Sequence, residues 1–426
     1  MLSDVYFPRV NGVSTSIMTF MHSLRSQGHE VRLIAPQYAT GTADETGIER
    51  IASRRVLYDP EDRMMRSAEI RRRQDAIAAW QPDLVHIHTP FVAHYLGLRL
   101  ARRLGLPVVE TYHTYFEEYL SHYIPFLPRS ALRRIARGFS RRQCNAVDAL
   151  IVPSRAMQQV LQDYGVRTPM SIIPTGLELD GFQRGDRDQF CAEHGIDPNR
   201  PILMHIGRVA HEKNIHFLLE VVEELSATVP NVLLVIAGEG PAREQLQRQA
   251  RELDIEDNVR FIGYLERGTA LWNCYSAADV FVFASRTETQ GLVLLEAMAL
   301  GVPVVSTACM GTHDILDAGR GAIVAREETE DFADKVAQLL RNAGFRALLG
   351  NEGQHYARTW SSERMTGKLV QLYEQRLRRP ARLHTTHPEP VMDPPGAAEA
   401  QPLRGNTSTT RAPSRAGLDS ISSRPP

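Results

Sequence analysis

Short apolar runs rich in β-branched residues alternate with helix-period segments along most of this chain. The runs form two series, separated by residues 177–200, where no strand pattern occurs. The first series is Val31–Ala35, Leu84–Ile87, Val108–Thr111, Ala149–Val152 and Ser171–Ile173, and the second is Ile202–Ile206, Val232–Ala237, Val259–Ile262, Val280–Ala284, Pro303–Ser306 and Ala322–Val324. Apolar strands alternating with amphipathic helices form parallel sheets covered on both faces. The sequence predicts an α/β fold of two Rossmann-like, doubly wound halves.

Chain length and local composition place the domain boundaries. The chain has 426 residues, more than one hydrophobic core normally serves, so two domains are expected. We predict an N-terminal domain at 1–178 and a C-terminal domain at 179–360. Residues 380–426 are mostly Pro, Ser, Thr, Ala and Gly. Such a composition cannot bury enough apolar surface to offset chain entropy, so we predict a disordered tail there.

The first strand is predicted to be short. Only Met1–Val5 precedes the glycine loop Tyr6–Val13, whereas a Rossmann-like domain normally opens with a full buried strand. We therefore expect the natural start to lie several residues upstream. A first strand that is truly this short would favour the alternative of a catalytically impaired protein.

Charge and cysteine content exclude several classes of protein. Lys and Arg number 49 against 50 Asp and Glu, a net charge of -1, whereas nucleic-acid binders are normally basic, so no nucleic-acid partner is expected. The four cysteines are widely spaced and form no C-x-x-C pair, so neither a zinc site nor a disulfide scaffold is predicted. Because no signal peptide or membrane-spanning apolar run is found, we expect a cytoplasmic protein.

Two glycine loops stand where such folds bind ligands. Gly12 precedes a predicted helix, whose free N–H groups can hold an anion; the alternative is an ordinary turn capped by Ser14. Gly207 follows the first strand of the second series, with Arg208 and Lys213 close behind. Two cations beyond the carboxyl end of a parallel strand suit a diphosphate, and the alternative is a solvated loop.

Two carboxylates eight residues apart follow another strand of the second series. Glu288 lies in a loop, and Glu296 lies in the apolar helical segment Leu292–Leu300. A carboxylate in such a segment is costly unless something hydrogen-bonds to it. Sugar hydroxyls are suitable donors; the alternative is an internal salt bridge.

Histidines follow or occupy strands of the first series. His113 lies just past a strand end, where a sugar contact and a purely structural role are both open. His86 and His88 share one face of a strand, but no third ligand is near in sequence, so we expect no metal site there. The D-x-D sequence at 186–188 follows no apolar strand, and we attribute it to chance.

An arginine-rich segment at Arg129–Arg142 contains no acidic residue. Leu132, Ile135 and Phe139 have helical spacing, so the segment is predicted to be an amphipathic basic helix. Such helices favour anionic membrane surfaces, which predicts peripheral attachment at the inner face of a membrane. The alternative is a surface helix packed on the N-terminal sheet.

Taken together, these motifs resemble those of glycosyltransferase family 4, and the resemblance covers about residues 3–378. It is most specific in the E-x7-E run of Glu288 and Glu296 with the Ala297–Val305 segment after it, and in the Arg208 and Lys213 loop. The resemblance implies a GT-B fold with a closing helix at 361–379 that crosses back to the N-terminal domain. It also implies retaining transfer from a nucleotide sugar without a metal ion or other cofactor.

The resemblance also implies residue roles. Gly12 would let its loop approach the donor phosphates. Arg208 and Lys213 would hold the diphosphate and balance the leaving-group charge in place of a metal. Glu296 would bind the ribose hydroxyls, and His113 would lie close to the donor sugar.

The loop that begins at Glu288 would hold the transferred sugar, with the backbone N–H groups of Gln290, Gly291 and Leu292 nearby. The commoner family sequence after this glutamate is Gly-Phe-Gly, whereas this chain has Thr-Gln-Gly. With the Asn11-to-Ser16 segment it looks like the branch that glycosylates lipids such as diacylglycerol or transfers mannose from GDP-mannose.

The expected reaction therefore moves a hexose, of mannose or glucose type, to a lipid or lipid-linked glycan acceptor. GDP-mannose and UDP-glucose types of donor both stay open. The alternatives are a nucleotide-sugar epimerase or phosphorylase on the same fold, and a catalytically impaired nucleotide-sugar-binding protein.

Overall fold

Strands and helices alternate through both halves of the molecule. The computed structural model describes residues 1–38, 46–55, 63–113, 129–316 and 318–378; the predicted tail lies outside them. The strands are β1 Leu33–Pro36, β2 Ile48–Ile51, β3 Ser53–Arg55, β4 Arg63–Met65, β5 Val85–Ile87, β6 Val108–Thr111, β7 Ala149–Val152, β8 Met170–Ile172, β9 Ile202–Ile206, β10 Leu233–Ala237, β11 Val259–Gly263, β12 Val280–Phe283, β13 Val304–Ser306 and β14 Ala322–Val324. The helices are α1 Gly12–Ser26, α2 Ser67–Ala79, α3 Val92–Leu104, α4 Arg129–Cys144, α5 Arg155–Asp163, α6 Arg187–His194, α7 Ile215–Ser226, α8 Arg243–Glu252, α9 Thr269–Ser276, α10 Leu292–Ala299, α11 Thr312–Leu316, α12 Thr329–Arg341, α13 Ala343–Ala357 and α14 Ser362–Leu377.

The C-terminal lobe, which we define as the elements around β9–β14, contains a six-stranded parallel sheet. Its strand order is β11-β10-β9-β12-β13-β14. This is the doubly wound order, in which the direction of winding reverses between β9 and β12. Alternate residues enter apolar clusters on opposite faces, Met204 and Phe281 on one and Leu203 and Val282 on the other. The continuous apolar strands therefore face helices on both sides, as predicted.

The N-terminal lobe, which we define as the elements around β1–β8 together with α14, contains a similar parallel sheet. β2 and β1 form one edge, and β5-β6-β7-β8 form the remainder. Leu2 lies between the two parts and bridges Ile34 and Ile87. The first strand is thus reduced to a single bridging residue, which lies in the interior of the sheet between β1 and β5.

Three short strands were missed by the sequence pattern. β2 pairs in parallel with β1, and β3 forms a small antiparallel pair with β4. Charged residues interrupt all three, and none exceeds four residues, so their apolar signal is too weak to detect. The predicted strands are otherwise observed within two residues of their expected ends. The prediction of an α/β fold with two doubly wound sheets is confirmed.

The chain crosses between the lobes twice at adjacent places. Leu177 N–H donates to Trp360 O at 2.8 Å, and Ser362 N–H donates to Leu177 O at 2.8 Å. Gly176 fits against the second crossing, because a Cβ there would lie 2.5 Å from Ser362 Cα. α14 then packs Leu369 and neighbouring residues on the N-terminal sheet. The two lobes belong to one compact unit, so two separate domains stay a prediction.

The basic segment forms α4, but its buried face differs from the predicted one. Leu132 and Ala136 are buried and Phe139 is partly buried, whereas Ile135 is 53% exposed. The inclusion of Ile135 in the buried stripe was wrong, because the helix packs along an i, i+4 ridge through Ala136. Within the described ranges, no helix is long and apolar enough to cross a membrane.

Candidate active site

Loops from three neighbouring strands meet at the point where the winding of the C-terminal sheet reverses. Gly207 N–H donates to Ala237 O at 3.0 Å, and Gly238 N–H donates to Gly263 O at 2.7 Å. A Cβ on Gly238 would lie 1.9 Å from Gly207 O, so only glycine permits this backbone contact. The carboxyl ends of parallel strands at such a reversal are where open α/β sheets bind ligands.

Lys213 and Glu288 meet across this reversal point. Lys213 ends a 3-10 turn that follows β9, and Glu288 lies in the loop that follows β12. The Lys213 ammonium donates a hydrogen bond to the Glu288 carboxylate, and both side chains are 19% exposed. Arg208 lies on the same loop as Lys213, is 60% exposed and reaches Glu212 at 3.9 Å. Two residues 75 positions apart in sequence thus form a largely buried ion pair, with the exposed guanidinium of Arg208 on the same loop as the lysine.

The loop between Glu288 and α10 is held in place by contacts with Gly311. Gly311 N–H donates to Glu288 O at 2.8 Å, and a Cβ on Gly311 would lie 2.0 Å from Thr289 O. Gly291 precedes α10 with φ +91°, in the left-handed region that favours glycine. The backbone that precedes α10 is therefore held in place, and so are the first N–H groups of the helix, from Leu292 onward.

Gln290 uses its side chain to join the two lobes. Its Nε2 donates to Thr175 O at 2.7 Å, and its Oε1 accepts from Thr175 N–H at 2.8 Å. Thr175 Oγ1 in turn donates to Ser16 Oγ of α1 at 2.7 Å. The Gln290 side chain is therefore already paired, which leaves only its backbone N–H for the predicted donor contact.

Glu296 is 4% exposed and has protein partners on both oxygens. Tyr275 Oη donates to Oε2 at 2.7 Å, and Arg267 Nη2 lies 2.9 Å from Oε1. Burial and the adjacent carboxylate raise the pKa of Tyr275 well above its usual value. The internal salt bridge considered from sequence is thus present, and the ribose-binding role of Glu296 stays a prediction.

Gly12 begins α1 on the N-terminal side. The helix is capped by Asn11, whose Oδ1 accepts from Ser14 N–H at 2.8 Å. The alternative that Ser14 itself caps this turn was therefore wrong, because the cap lies three residues earlier. A Cβ on Gly12 would have no neighbour within 4 Å, so the space beside this helix start is open.

His113 belongs to a cluster of three imidazoles at the carboxyl ends of β5 and β6. His86 lies between Tyr373 Oη at 2.6 Å and Thr111 Oγ1 at 2.7 Å, and His88 Nδ1 lies 3.3 Å from His113 Nε2. Burial lowers the pKa of His113 to about 4 and holds those of His86 and His88 well below their usual range. All three rings are therefore neutral at physiological pH.

Metal ligands are not brought together in the part of the chain that the structure describes, where no group of three or more His, Cys, Asp or Glu could hold an ion. The D-x-D sequence has an ordinary role: Asp186 caps α6 by accepting from Gln189 N–H at 3.0 Å. Metal independence of the reaction stays a prediction.

Comparison with known proteins assigns the chain to a family. Residues 10–180 match the family model described as Glycosyltransferase Family 4, and residues 186–356 match the model described as Glycosyl transferases group 1. An alpha-monoglucosyldiacylglycerol synthase of Streptococcus pneumoniae is 34% identical over 322 residues, which cover 72% of this chain and 70% of the relative. This chain belongs to glycosyltransferase family 4.

Two further comparisons fit this assignment. A GDP-mannose-dependent alpha-mannosyltransferase of Mycobacterium tuberculosis is 29% identical over 371 residues, covering 82% of this chain and 91% of the relative. The solved structure of sucrose-phosphate synthase from Thermosynechococcus elongatus has a TM-score of 0.70 at 20% identity, covering 88% of this chain and 95% of that one. This family 4 glycosyltransferase therefore has the GT-B fold, and it is a hexosyltransferase.

Sequence reasoning missed one buried residue beside the site of this glycosyltransferase. His205 on β9 is fully buried, and its Nδ1 lies 3.3 Å from Val282 O, so Nδ1 carries the proton. Its Nε2 has no hydrogen-bond partner among the described residues and is directed towards Gly207. Burial lowers the pKa of His205 to about 4. A polar residue within an apolar strand was the only available signal.

Proposed function

We propose that this glycosyltransferase moves a hexose from a nucleotide-diphosphate sugar to a lipid or lipid-linked glycan, with retention of configuration and without a metal ion. The observation that carries the proposal is the Lys213–Glu288 pair at the winding reversal, next to Arg208. Opposite charges that contact each other here can each bind a part of the donor, the cation binding phosphate and the carboxylate binding sugar hydroxyls.

Each part of the donor would be bound by a different loop of the site. Arg208 and Lys213 hold the diphosphate, Glu288 holds the transferred sugar, and the N–H groups of Gln290, Gly291 and Leu292 lie beside it. Glu296 would then reach the ribose hydroxyls if Arg267 gives up its contact with that carboxylate. Gly12 contributes from the N-terminal lobe, where the space beside its backbone is open to the phosphates.

Catalysis would be mainly electrostatic. As the bond between sugar and phosphate breaks, negative charge builds on the departing diphosphate, and the fixed cations of Arg208 and Lys213 stabilise that charge. His113, neutral and just beyond the carboxyl end of β6, would contact the donor sugar from the opposite lobe. Approach of the lobes excludes water and limits hydrolysis of the donor.

The acceptor is proposed to come from a membrane surface. α4 exposes Arg133, Arg134 and Ile135 together, and a groove of about 600 Å³ runs along the helix next to Asp163 and Tyr164. Exposed cations beside an exposed apolar side chain suit an anionic headgroup layer. The relatives named for diacylglycerol and GDP-mannose chemistry support a lipid acceptor and leave two types of donor. We propose peripheral attachment at the cytoplasmic face.

A donor screen followed by transfer to membrane lipid tests this function. UDP-glucose and GDP-mannose are compared by thermal shift, and the radiolabelled form of the better binder is added to a membrane extract. We expect label in the lipid fraction, release of nucleotide diphosphate that depends on acceptor, and an α-linked product by NMR. Nucleotide release without acceptor, or transfer with inversion, would contradict the proposal.

A further inference from the structure

His88 is a buried histidine that the proposed mechanism does not use. It is 1% exposed, its Nδ1 lies 3.3 Å from His113 Nε2, and the two rings are nearly parallel at an interplanar angle of 21°. Its backbone is fixed as well, because His88 N–H donates to Leu2 O at 3.0 Å in the central bridge of the sheet. His88 is therefore a rigid neighbour of His113, a partly buried histidine just beyond the carboxyl end of β6.

The hydrogen bond between the two rings needs one donor and one acceptor, since both are neutral. His88 Nε2 is buried and has no partner among the residues that the structure describes. A buried N–H without an acceptor is rarer in proteins than a buried lone pair without a donor. The proton of His88 therefore belongs on Nδ1, where it has a partner, and His113 Nε2 must be the acceptor.

We propose that His88 is a positioning residue that fixes His113 as the neutral Nδ1–H form by donating a hydrogen bond to its Nε2. His113 is then left with one donor, Nδ1–H, for an oxygen of the donor sugar. The inference rests on the proposed function insofar as His113 contacts that sugar. It adds the reason why this imidazole has a single orientation and proton position before substrate arrives.

The test combines the proton position of His113 with turnover. In the protein labelled with ¹⁵N-histidine, we expect the Nδ1 of His113 to show a protonated shift and Nε2 an unprotonated one. His88→Leu is expected to lose this single form and to lower kcat about tenfold with little change in the KM for donor. His88→Asn, whose amide N–H can replace Nδ1–H, is expected to restore the form and to recover kcat to within about threefold.

His86→Leu is the matched control, because it removes a buried imidazole two residues before His88 that is not hydrogen-bonded to His113. In this control His113 should remain protonated on Nδ1. If the effect of His88→Leu were purely structural, both leucine variants would change the His113 signals and kcat to the same extent. A wild-type His113 protonated on Nε2, or an unaltered His113 in His88→Leu, would overturn the inference. Full activity of His113→Ala would instead remove the proposed role of His113 and leave the hydrogen-bond assignment standing.

Discussion

At the scale of single residues, the main feature of the site is a pair of opposite charges that contact each other. Lys213 and Glu288 are each 19% exposed and joined by a hydrogen bond. Removing one partner leaves a poorly solvated charge, so such pairs react strongly to single substitutions. If the donor separates the pair, each residue contributes to transfer, and the two contributions depend on each other.

Lys213→Met and Glu288→Gln are each expected to lower kcat by about 100-fold or more, because each removes charge that holds the donor as its bond breaks. The fall in kcat of the double variant should be smaller than the product of the two single effects, since the two residues contact each other and act together. The measurement is acceptor-dependent release of nucleotide diphosphate. Lys335→Met removes a lysine that pairs with Asp331 on α12, and unaltered activity in this control would show that loss of an ion pair alone is harmless.

His205 gives a prediction for stability against pH. Unfolded histidine has a pKa near 6.5, whereas burial lowers that of folded His205 to about 4. The folded state thus binds fewer protons, and the stability due to neutral His205 is complete above pH 6.5 and is lost as pH falls towards 4. At pH 5 this single group costs about 2 kcal/mol, so His205→Phe should lose that much less stability than wild type between pH 7 and 5.

Urea unfolding at the two pH values measures this difference. Phe is chosen because the His205 ring already stacks on Phe283 at 5.6 Å. Asp4, whose pKa burial raises to about 6, changes stability in the opposite direction but equally in both proteins. The surface variant His29→Phe is the control, and an equal loss in wild type and His205→Phe would refute the assignment.

At the scale of elements, the sequence predicted the strands and loops that are marked by a pattern within their own residues. The apolar runs of β9, β10 and β12 and the glycine loops after them identify the C-terminal sheet and its site, because burial on both faces requires strands that are almost entirely apolar. β2 to β4 were missed because they are short and interrupted by charge. The pairing of Gln290 with Thr175 gave no signal, since its partners are 115 residues apart and nothing in either segment specifies the other.

The prediction at this scale concerns helix α4 and its binding to an anionic membrane. Arg133, Arg134 and Ile135 are three consecutive exposed residues of this helix. Each arginine near an anionic membrane is worth about 1 kcal/mol, so Arg133→Glu with Arg134→Glu should weaken vesicle binding about thirtyfold or more. Flotation with phosphatidylglycerol vesicles at low salt measures it. Arg251→Glu with Arg341→Glu, on exposed helices of the C-terminal lobe, is the charge-matched control, and equal loss in both would argue against a specific role for α4.

At the scale of the whole molecule, polar contacts join the two lobes near the site. Besides Gln290 and Thr175, the Arg155 backbone N–H and Nε donate to Asp314 at 2.6 and 3.0 Å. The two crossings of the chain lie side by side, where Gly176 touches Ser362. Polar contacts of this kind can be exchanged for others when lobes move, which a hydrophobic interface would resist.

Gly176→Ala tests how closely the crossings are packed. The new Cβ would lie 2.5 Å from Ser362 Cα and 2.7 Å from Ser361 O. Because backbone must shift to admit it, we expect a loss of about 1–3 kcal/mol in stability, measured by urea unfolding. Gly181→Ala, where a Cβ would have no neighbour within 4 Å, should lose much less stability. An equal loss of stability in the two variants would show that replacing glycine itself is responsible, and not the close packing of the crossings.

Gln290→Glu tests whether the contact between lobes supports donor binding. The new carboxylate still accepts from Thr175 N–H, but its second oxygen faces Thr175 O in place of a donor. At 9% exposure this unpaired acceptor should cost about 1–3 kcal/mol and speed hydrogen exchange at 174–178. The KM for donor should rise, since the loop between Glu288 and α10 is released from the opposite lobe. Gln354→Glu is the matched control because its amide donates to Ala299 O at 3.3 Å within one lobe. Equal effects on KM in the two variants would show that the lobes act independently of this contact.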